Sequence, residues 1–231
     1  RDAQESRGLG DVYKRQPKEE KMEKLILIGA GGYAKSVVDS IDYFNYELEG
    51  FIDEFTTETE HLGKPVIAKH LDEIEHKEKY VYFVCIGNNM RRKAWYDRLK
   101  ENNLRMINVV DRTAIVSPKA VLGTGCFIGK MAVINNTALV GNNCIINTRA
   151  SIEHGCRVAD HVNLSTSSVI NGDVEVGEGS FIGSGSITIG QKKIGKWSTV
   201  GAGAVVIRDV GDNVTVAGVP ARIIREGAML G

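Results

Sequence analysis

The first part of the chain alternates short apolar runs with segments of helical spacing. Lys24–Ile28 is an apolar run that ends in glycines, and Ala34–Phe44 follows with apolar residues on one helical face. Tyr80–Ile86 is a continuous β-rich run, as expected of a strand buried on both faces, and a helix is predicted over Arg91–Asn102. The remaining predicted elements are strands at Leu48–Asp53 and Met106–Val110 and a short helix at Leu71–Lys77. This order predicts strand–helix–strand units and a small, mostly parallel sheet.

From about residue 112 the apolar positions recur every six residues. At sixteen positions in steps of six from Val116 to Val206, fifteen residues are Ile, Leu or Val, although these types make up only 58 of the 231 residues. The residue two places earlier is Ala, Cys, Ser or Val in fifteen of the sixteen cases, and Lys192 is the exception. Such a repeat indicates a parallel β-helix, in which each coil buries its apolar face only by stacking on its neighbours.

The two patterns divide the chain into three parts. Residues 1–21 are polar and lack any period, and we interpret them as a non-native or disordered leader. Residues 22–111 are predicted to form a Rossmann-like α/β domain. Residues 112–231 are predicted to form an all-β domain of hexapeptide repeats with a C-terminal tail.

Composition narrows the classes of function. The 29 basic residues balance the 29 acidic ones, which argues against a nucleic-acid-binding protein. No apolar run approaches the ~20 residues of a membrane helix, so no membrane insertion is expected. The four cysteines form no CxxC pair, which predicts neither a metal site nor disulfides and favours a reducing, cytoplasmic location. They are Cys85, Cys126, Cys144 and Cys156, of which the last three occupy the small position of the repeat.

The first glycine-rich turn has two interpretations. Gly29-x-Gly31-x-x-Ala34 lies between a predicted strand and a predicted helix, and Asp53 follows 24 residues after Gly29. This arrangement is near the dinucleotide-binding fingerprint, and its main-chain N–H groups favour a phosphate. About 90 residues are few for a dehydrogenase module, however, and Asp53 could also be a plain strand cap.

Several segments together resemble a known enzyme family. They are LILIGAGGYAKSVVD, GFIDE, CIGNNMRRK, AIVSPKAVLG, IINTRASIEHGCRVADHV and VAGVPARIIR, and they cover the chain from Met22 onward. The chain is similar in these segments to the sialic acid O-acetyltransferase and bacillosamine-type nucleotide-sugar N-acetyltransferase family. The resemblance implies a left-handed β-helix, a homotrimer with active sites between subunits, acetyl-CoA as acyl donor, and a nucleotide sugar bound by the N-terminal domain.

The resemblance also assigns roles to residues. The histidine of the Ile-Glu-His motif is the general base of the family, and here it is His154. The implied contacts to the nucleotide sugar are Gly31, Gly32, Tyr33, Asp53, Gly87, Asn88, Asn89 and Arg91. The implied contacts to acetyl-CoA are Asn147, Asn163, Gly172, Ser184, Gly201, Ala202 and Gly203. No metal is expected, because acetyl transfer from a thioester needs a base and oxyanion donors rather than a metal ion.

Three positions depart from the family pattern. The family's carboxylate directly after the base is replaced by Gly155, so Glu153, Asp160 or a neighbouring chain would have to orient His154. A common histidine is replaced by Asn163, which cannot take a proton. A further histidine, in the glycine-rich turn, is replaced by Tyr33.

These departures leave three hypotheses about function. The first is N-acetylation of a UDP- or dTDP-linked deoxyamino sugar with His154 as base. The second is O-acetylation of sialic acid or a related sugar. The third is a catalytically weak scaffold that binds a nucleotide sugar. Consumption of acetyl-CoA separates the two enzymes from the scaffold.

Overall fold

The structure is a computed structural model that describes residues 22–227. The predicted leader at residues 1–21 and the end of the tail at 228–231 lie outside the described residues. The N-terminal part contains β1 (Glu23–Ile28), α1 (Gly32–Val38), β2 (Tyr46–Ile52), β3 (Glu60–His61), β4 (Lys64–Ala68), β5 (Val81–Val84) and α2 (Asn89–Glu101), with 3₁₀ turns at Leu71–Glu73 and Lys77–Lys79. Its sheet has the order β3-β4-β2-β1-β5 and is parallel except for the β3–β4 pair.

The sequence prediction and the N-terminal elements differ at three points. The short helix predicted at Leu71–Lys77 is replaced by two separate 3₁₀ turns, at Leu71–Glu73 and Lys77–Lys79. The first helix was predicted to reach Phe44, but α1 ends at Val38. The chain turns at Asp42, whose carboxylate accepts hydrogen bonds from the main-chain N–H of Phe44 and the side-chain amide of Asn45. The β3–β4 hairpin was not predicted, because the edge strand β3 has only two residues, both polar, and β4 is a short strand that begins Lys-Pro.

The predicted parallel β-helix is confirmed. Its two-residue strands are β6 (Val109–Val110), β7 (Ile115–Val116), β8 (Val121–Leu122), β9 (Phe127–Ile128), β10 (Val133–Ile134), β11 (Leu139–Val140), β12 (Ile145–Ile146), β13 (Ser151–Ile152), β14 (Arg157–Val158), β15 (Asn163–Leu164), β16 (Val169–Ile170), β17 (Glu175–Val176), β18 (Phe181–Ile182), β19 (Ile187–Thr188), β20 (Lys193–Ile194), β21 (Thr199–Val200) and β22 (Val205–Val206), and the longer β23 (Val214–Ala217) and β24 (Arg222–Glu226) follow. The register is kept at the two exceptions to the repeat. Thr188 lies in β19 and Lys192 directly precedes β20, and both strands pair with their neighbours like the other strands.

The strands form three sheets. The first sheet contains β6, β9, β12, β15, β18, β21, β23 and β24; the second contains β7, β10, β13, β16, β19 and β22; the third contains β8, β11, β14, β17 and β20. One coil takes 18 residues, because Ile145 pairs with Phe127 before it and Asn163 after it. The repeat's aliphatic residues and small residues, including the three cysteines of the repeat, fill the interior.

The α/β part packs on the first sheet of the β-helix. Phe127 and Ile145 face outward from that sheet and belong to one buried cluster with Leu25 and Phe83 of the N-terminal strands. The predicted strand at 106–110 is divided between the two parts: Met106 bridges to Tyr82, whereas β6 pairs with β9. The first strand of the β-helix therefore begins before the boundary predicted at residue 112.

None of the helices within residues 22–227 is long and apolar enough to cross a membrane. The same residues contain no group of three or more His, Cys, Asp or Glu side chains that could hold a metal ion.

Candidate active site

A cavity of about 330 Å³ lies at the carboxyl ends of β1, β2 and β5. Parallel sheets of this kind bind their ligands at that edge, outside the strand ends. Seven of the eight residues expected to contact a nucleotide sugar line it, namely Gly31, Gly32, Tyr33, Asp53, Gly87, Asn88 and Arg91. The eighth, Asn89, lies elsewhere.

Asp53 joins the two loops that form one wall of this cavity. Its Oδ2 accepts a hydrogen bond from the Ala30 N–H at 2.7 Å, and its Oδ1 accepts from Phe55 and Thr56 at 2.8 and 2.9 Å. Burial by itself raises the pKa of Asp53, but these hydrogen bonds and the charge of Lys69 outweigh it and lower the pKa below its usual value. Asp53 is therefore an ionised strand cap that also faces the cavity, so its capping role leaves the predicted contact to a ligand possible.

The opposite wall begins at the N-terminus of α2. The side chain of Asn88 caps the helix by accepting the Arg91 N–H at 3.0 Å. The exposed guanidinium of Arg91 lies over the Phe55 ring, 4.1 Å from its centroid. This leaves the guanidinium N–H groups of Arg91 at the rim of the cavity, where they could donate to a phosphate.

Tyr33 contributes its ring to the cavity wall and packs edge-on against Phe127 of the β-helix, with 5.5 Å between ring centroids. Its hydroxyl is buried and has no hydrogen-bond partner among the described residues. Burial raises the pKa of Tyr33 well above its usual value, although the charge of Arg92 opposes this. Tyr33 is thus neutral, unlike the titratable histidine it replaces in the family pattern.

Asn89 and Arg92 join the two parts of the chain. The amide of Asn89 donates to the carbonyl oxygens of Gly179 and Ser180 in the β-helix, at 2.9 and 3.2 Å. Its Oδ1 accepts from Arg92 at 2.8 Å. Asn89 is therefore committed to the domain contact.

The fully buried Arg92 was missed by the sequence analysis, which selected its neighbour Arg91. Its guanidinium donates to the carbonyl oxygens of Ile86 and Gly87, which adjoin the cavity. It also donates to carbonyl oxygens of the β-helix, at Asn143 (3.1 Å) and His161 (2.7 Å). A helical-wheel count could have found it, because Arg92 shares a face with the buried residues Trp95, Tyr96 and Leu99.

His161 points outward from the β-helix, and α2 covers it. Its Nδ1 lies 2.9 Å from the amide nitrogen of Asn143, and its ring packs edge-on against Tyr96. Burial lowers the pKa of His161, and the nearby Lys93 and Arg92 lower it further. His161 is a neutral residue of the domain contact.

His154 lies at a different place, on the corner between the second and third sheets. We call this the His154 corner, formed in successive coils by Asn136, His154, Gly172 and Gly190. The exposed imidazole lies directly over Gly172: a methyl group there would be 2.5 Å from Cε1 and 2.7 Å from Nε2 of His154. The Gly172 N–H donates no hydrogen bond within residues 22–227. An exposed imidazole and a free main-chain donor therefore lie side by side.

The residues expected to contact acetyl-CoA do not converge in one chain. Gly172 lies beneath His154, whereas Asn147, Ser184 and Gly201–Gly203 lie on the corner between the first and second sheets. We call this second group, together with Ser165, the serine corner, and the hydroxyls of Ser165 and Ser184 are 2.8 Å apart there. The two corners lie at opposite ends of the strands of the second sheet.

Asn163 belongs to neither corner. It lies in the first sheet, in the ladder that includes Phe127 and Ile145, and only 7% of it is exposed. Its Oδ1 is buried and has no partner among the described residues. Asn163 therefore lies on the face that packs against the α/β part, apart from His154.

The outward ladder of the second sheet is mostly apolar. Its members are Ile115, Val133, Ser151, Val169, Ile187 and Val205. Ile115 is 65% exposed and Ile187 is 41% exposed. The corresponding ladder of the third sheet becomes charged after its first two residues, and its Glu175 and Lys193 form an ion pair. An aliphatic stripe between the His154 corner and the serine corner marks a surface suited to protein contact.

Comparisons with known proteins agree with this architecture. A family model described as the PglD N-terminal domain matches residues 24–99. A structure of a histidine-to-asparagine variant of perosamine N-acetyltransferase from Caulobacter crescentus, in complex with CoA and GDP-perosamine, is 33% identical with a TM-score of 0.84, over 88% of this chain and 97% of that one. The acetyltransferase domain of PglB from Neisseria gonorrhoeae in complex with acetyl coenzyme A is 31% identical with a TM-score of 0.83, over 88% of this chain and 100% of that one.

A curated relative is more distant. An uncharacterised protein of Acanthamoeba polyphaga mimivirus is 29% identical over 103 residues, which are 45% of this chain and 20% of the viral protein. This chain thus matches about a fifth of the length of that curated relative.

Proposed function

Because this chain belongs to the hexapeptide-repeat family of nucleotide-sugar N-acetyltransferases, which have a left-handed β-helix, we propose that it transfers an acetyl group from acetyl-CoA to the amino group of a nucleotide-linked deoxyamino sugar. The observation that carries the proposal is the close approach of the His154 imidazole to Gly172, whose main-chain N–H is free. The relative from Caulobacter crescentus binds CoA and GDP-perosamine, which supports both the donor and the acceptor class. Because that relative binds a GDP-linked sugar, GDP joins UDP and dTDP as a candidate nucleotide of the acceptor.

In the proposed reaction the sugar amine attacks the carbonyl carbon of the thioester. His154 accepts the proton that the amine nitrogen loses as the C–N bond forms. The Gly172 N–H donates to the oxyanion of the tetrahedral intermediate, which then collapses with cleavage of the C–S bond. The proton on His154 neutralises the departing CoA thiolate, so the products are the acetamido sugar and free CoA.

The proposed acceptor site is the cavity of the α/β part. Arg91 at its rim is suited to the diphosphate, since a guanidinium can donate two hydrogen bonds to one phosphate group. The exposed loop at Gly31 and Gly32 has open space above both α-carbons, which allows a ligand to approach the main chain closely. Asp53 holds that loop in place and has acceptor capacity left for a ligand hydroxyl or amide.

We also propose that the active protein is a homotrimer. In one chain the second sheet separates the His154 corner from the serine corner, and two copies packed along that sheet would bring both sets of residues to one acetyl-CoA molecule. The apolar ladder on that sheet supports such a contact.

Val169→Glu is expected to give monomers by sedimentation and to abolish acetyl transfer. The same charge at Phe44, which is 93% exposed on the α/β part, should leave both unchanged. Monomeric wild-type protein that is fully active would contradict the trimer.

The first experiment is product mass spectrometry on the chain from Met22 onward. Wild type is incubated with acetyl-CoA and separate UDP-, dTDP- and GDP-linked amino sugars and sialic acid, beside His154→Asn. His76→Asn is the matched control, because His76 is an exposed histidine outside the cavity. We expect one acetylated amino sugar, lost in His154→Asn and retained in His76→Asn.

Each other outcome has a defined meaning. Acetylation of sialic acid alone would support the O-acetyltransferase hypothesis instead. Binding of a nucleotide sugar without consumption of acetyl-CoA would support the scaffold hypothesis.

The cytoplasmic location, which was inferred from the pattern of cysteines in the sequence, stays a prediction.

A further inference from the structure

The carboxylate nearest to His154 in sequence already accepts hydrogen bonds from other residues. Glu153 accepts a hydrogen bond from the Asn135 side chain at 2.8 Å and from the Ser151 hydroxyl at 3.3 Å. Both partners lie toward the second sheet, so Glu153 is held away from the position after His154. Gly155 offers no carboxylate of its own.

The second carboxylate considered from sequence, Asp160, is also committed. Its Oδ1 accepts the main-chain N–H of Asn142 at 2.7 Å, and both its oxygens lie 3.2 Å from the Asn142 side-chain amide. These contacts hold Asp160 on the corner between the third and first sheets, which is not the corner of His154. Neither residue fills the place that the family gives to an acid directly after the base.

Asp173 fills that place from the next coil. It lies 18 residues after Gly155, at the same position of the coil, and both residues have a left-handed backbone, with φ of 58° and 69°. A methyl group on Gly155 would lie only 2.0 Å from Oδ1 of Asp173. The carboxylate of Asp173 therefore occupies the volume into which a side chain at residue 155 would extend.

Two further observations tie Asp173 to His154. The main-chain N–H of Asp173 donates to the His154 carbonyl oxygen at 2.9 Å, which fixes one residue relative to the other. The carboxylate of Asp173 accepts no hydrogen bond from any residue in 22–227 and remains exposed, so its charge is available at this corner.

We propose that Asp173 is the positioning residue for His154 and replaces the carboxylate that this family carries directly after its base. It stabilises the imidazolium that forms when His154 accepts the amine proton. This inference rests on the proposed role of His154 as base. No carboxylate of the described residues lies within 4.0 Å of a His154 ring nitrogen, so Asp173 acts by its charge at longer range. The charged residues next to His154 on its own coil are Glu153 before it and Arg157 at the start of β14.

The reciprocal fit of residues 155 and 173 provides the test. Asp173→Asn removes the charge and keeps the shape. The double change Gly155→Asp with Asp173→Gly moves the carboxylate to the family's position and clears the space for it. Asp tolerates a left-handed backbone better than most residues, and Gly adopts it freely. Glu178→Gln removes a charge on another corner of the same coil and is the matched control.

The readout is the pKa of His154, measured by NMR on histidine-labelled protein and assigned with His154→Asn. Asp173→Asn is expected to lower this pKa, because it removes a negative charge near the imidazolium. The acidic limb of the pH profile of kcat/KM should move by the same amount, while the KM for acetyl-CoA stays constant. The double variant should return both to the wild-type values, and Glu178→Gln should leave both unchanged.

Some outcomes would overturn the inference. An unchanged His154 pKa in Asp173→Asn would do so, and so would a loss of activity with an unshifted pH profile, because either result gives Asp173 a merely structural role. The proposed function fails separately, if wild type acetylates none of the acceptors. A shifted His154 pKa would in that case still support the pairing with Asp173.

Discussion

Gly172→Ala tests the geometry of the candidate active site at one carbon atom. The new methyl group would lie 2.5 Å from Cε1 and 2.7 Å from Nε2 of His154, far inside the ordinary contact distance of about 3.5 Å. The exposed imidazole is the part that can move, so the ring must withdraw by about 1 Å. The main chain need not change, because Gly172 does not have a left-handed backbone.

The two consequences of this change have different magnitudes. A base displaced by about 1 Å can lose ~10²-fold in rate, which corresponds to about 2.7 kcal/mol of activation free energy. Gly→Ala at a compatible backbone position, by contrast, stabilises a protein by roughly 0.4–1 kcal/mol through the unfolded chain. We therefore expect kcat to fall by about 10- to 100-fold while the free energy of unfolding stays constant or rises.

The assay is acetyl transfer at saturating acetyl-CoA, followed by mass spectrometry, together with urea unfolding. Gly211→Ala is the matched control, because Gly211 also lies in the β-helix, has no left-handed backbone and has open space where the methyl group would stand. It should keep the wild-type kcat. Full activity in Gly172→Ala would refute the reasoning, since His154 would then act from a position other than the one over Gly172.

Three further predictions concern the α/β part and its contact with the β-helix. Arg92→Lys should lower the free energy of unfolding by roughly 2–4 kcal/mol, because it leaves buried carbonyl oxygens without hydrogen-bond donors. Arg91→Lys should lower it by less than about 0.5 kcal/mol and raise the KM for the nucleotide sugar, and equal losses in urea unfolding would contradict this assignment. Burial lowers the pKa of His161 in the folded state, so its contribution to stability should be complete above the unfolded-state pKa of ~6.5 and decrease as the pH falls below that value. The free energy of unfolding of His161→Gln should therefore decrease less steeply between pH 7.5 and 5.5 than that of the wild type. An unchanged slope would assign the effect to another group. Tyr33→Phe should change the free energy of unfolding by less than about 0.5 kcal/mol, because the hydroxyl has no partner in residues 22–227 to lose; a loss above ~1 kcal/mol in urea unfolding would mean that it has one.

Helix phase explains why the sequence identified Arg91 and overlooked Arg92. A motif written as Gly-Asn-Asn-x-Arg ends at the first of two consecutive arginines and does not say which face each occupies. Successive residues of a helix point about 100° apart, so the two side chains have opposite surroundings. Arg91 reaches the cavity rim, and Arg92 is buried against the β-helix. Asn89 was assigned to the cavity for a related reason, since its hydrogen-bond partners in the β-helix lie about 90 residues away in sequence.

The sequence by itself determined the β-helix, and it also determined most of the residues that line the cavity of the α/β part. Inward residues recur every six positions because one side of each coil takes six residues, so the period is readable without any long-range contact. The glycine-rich turns and Asp53 end strands of one parallel sheet, and such strand ends must meet at one edge. The proposed role of His154 as base, by comparison, comes from resemblance to a family rather than from the repeat pattern.

Only the tertiary structure decided which residues meet across coils. It separated Asn163 from His154, and it divided the expected acetyl-CoA contacts between two corners. It also put the Asp173 carboxylate where Gly155 lacks a side chain. The 18-residue coil fixes which residues are stacked, but whether a stacked side chain fills its neighbour's space depends on its rotamer and on the left-handed backbone at that corner. Those are properties of the packed coils and not of the repeat.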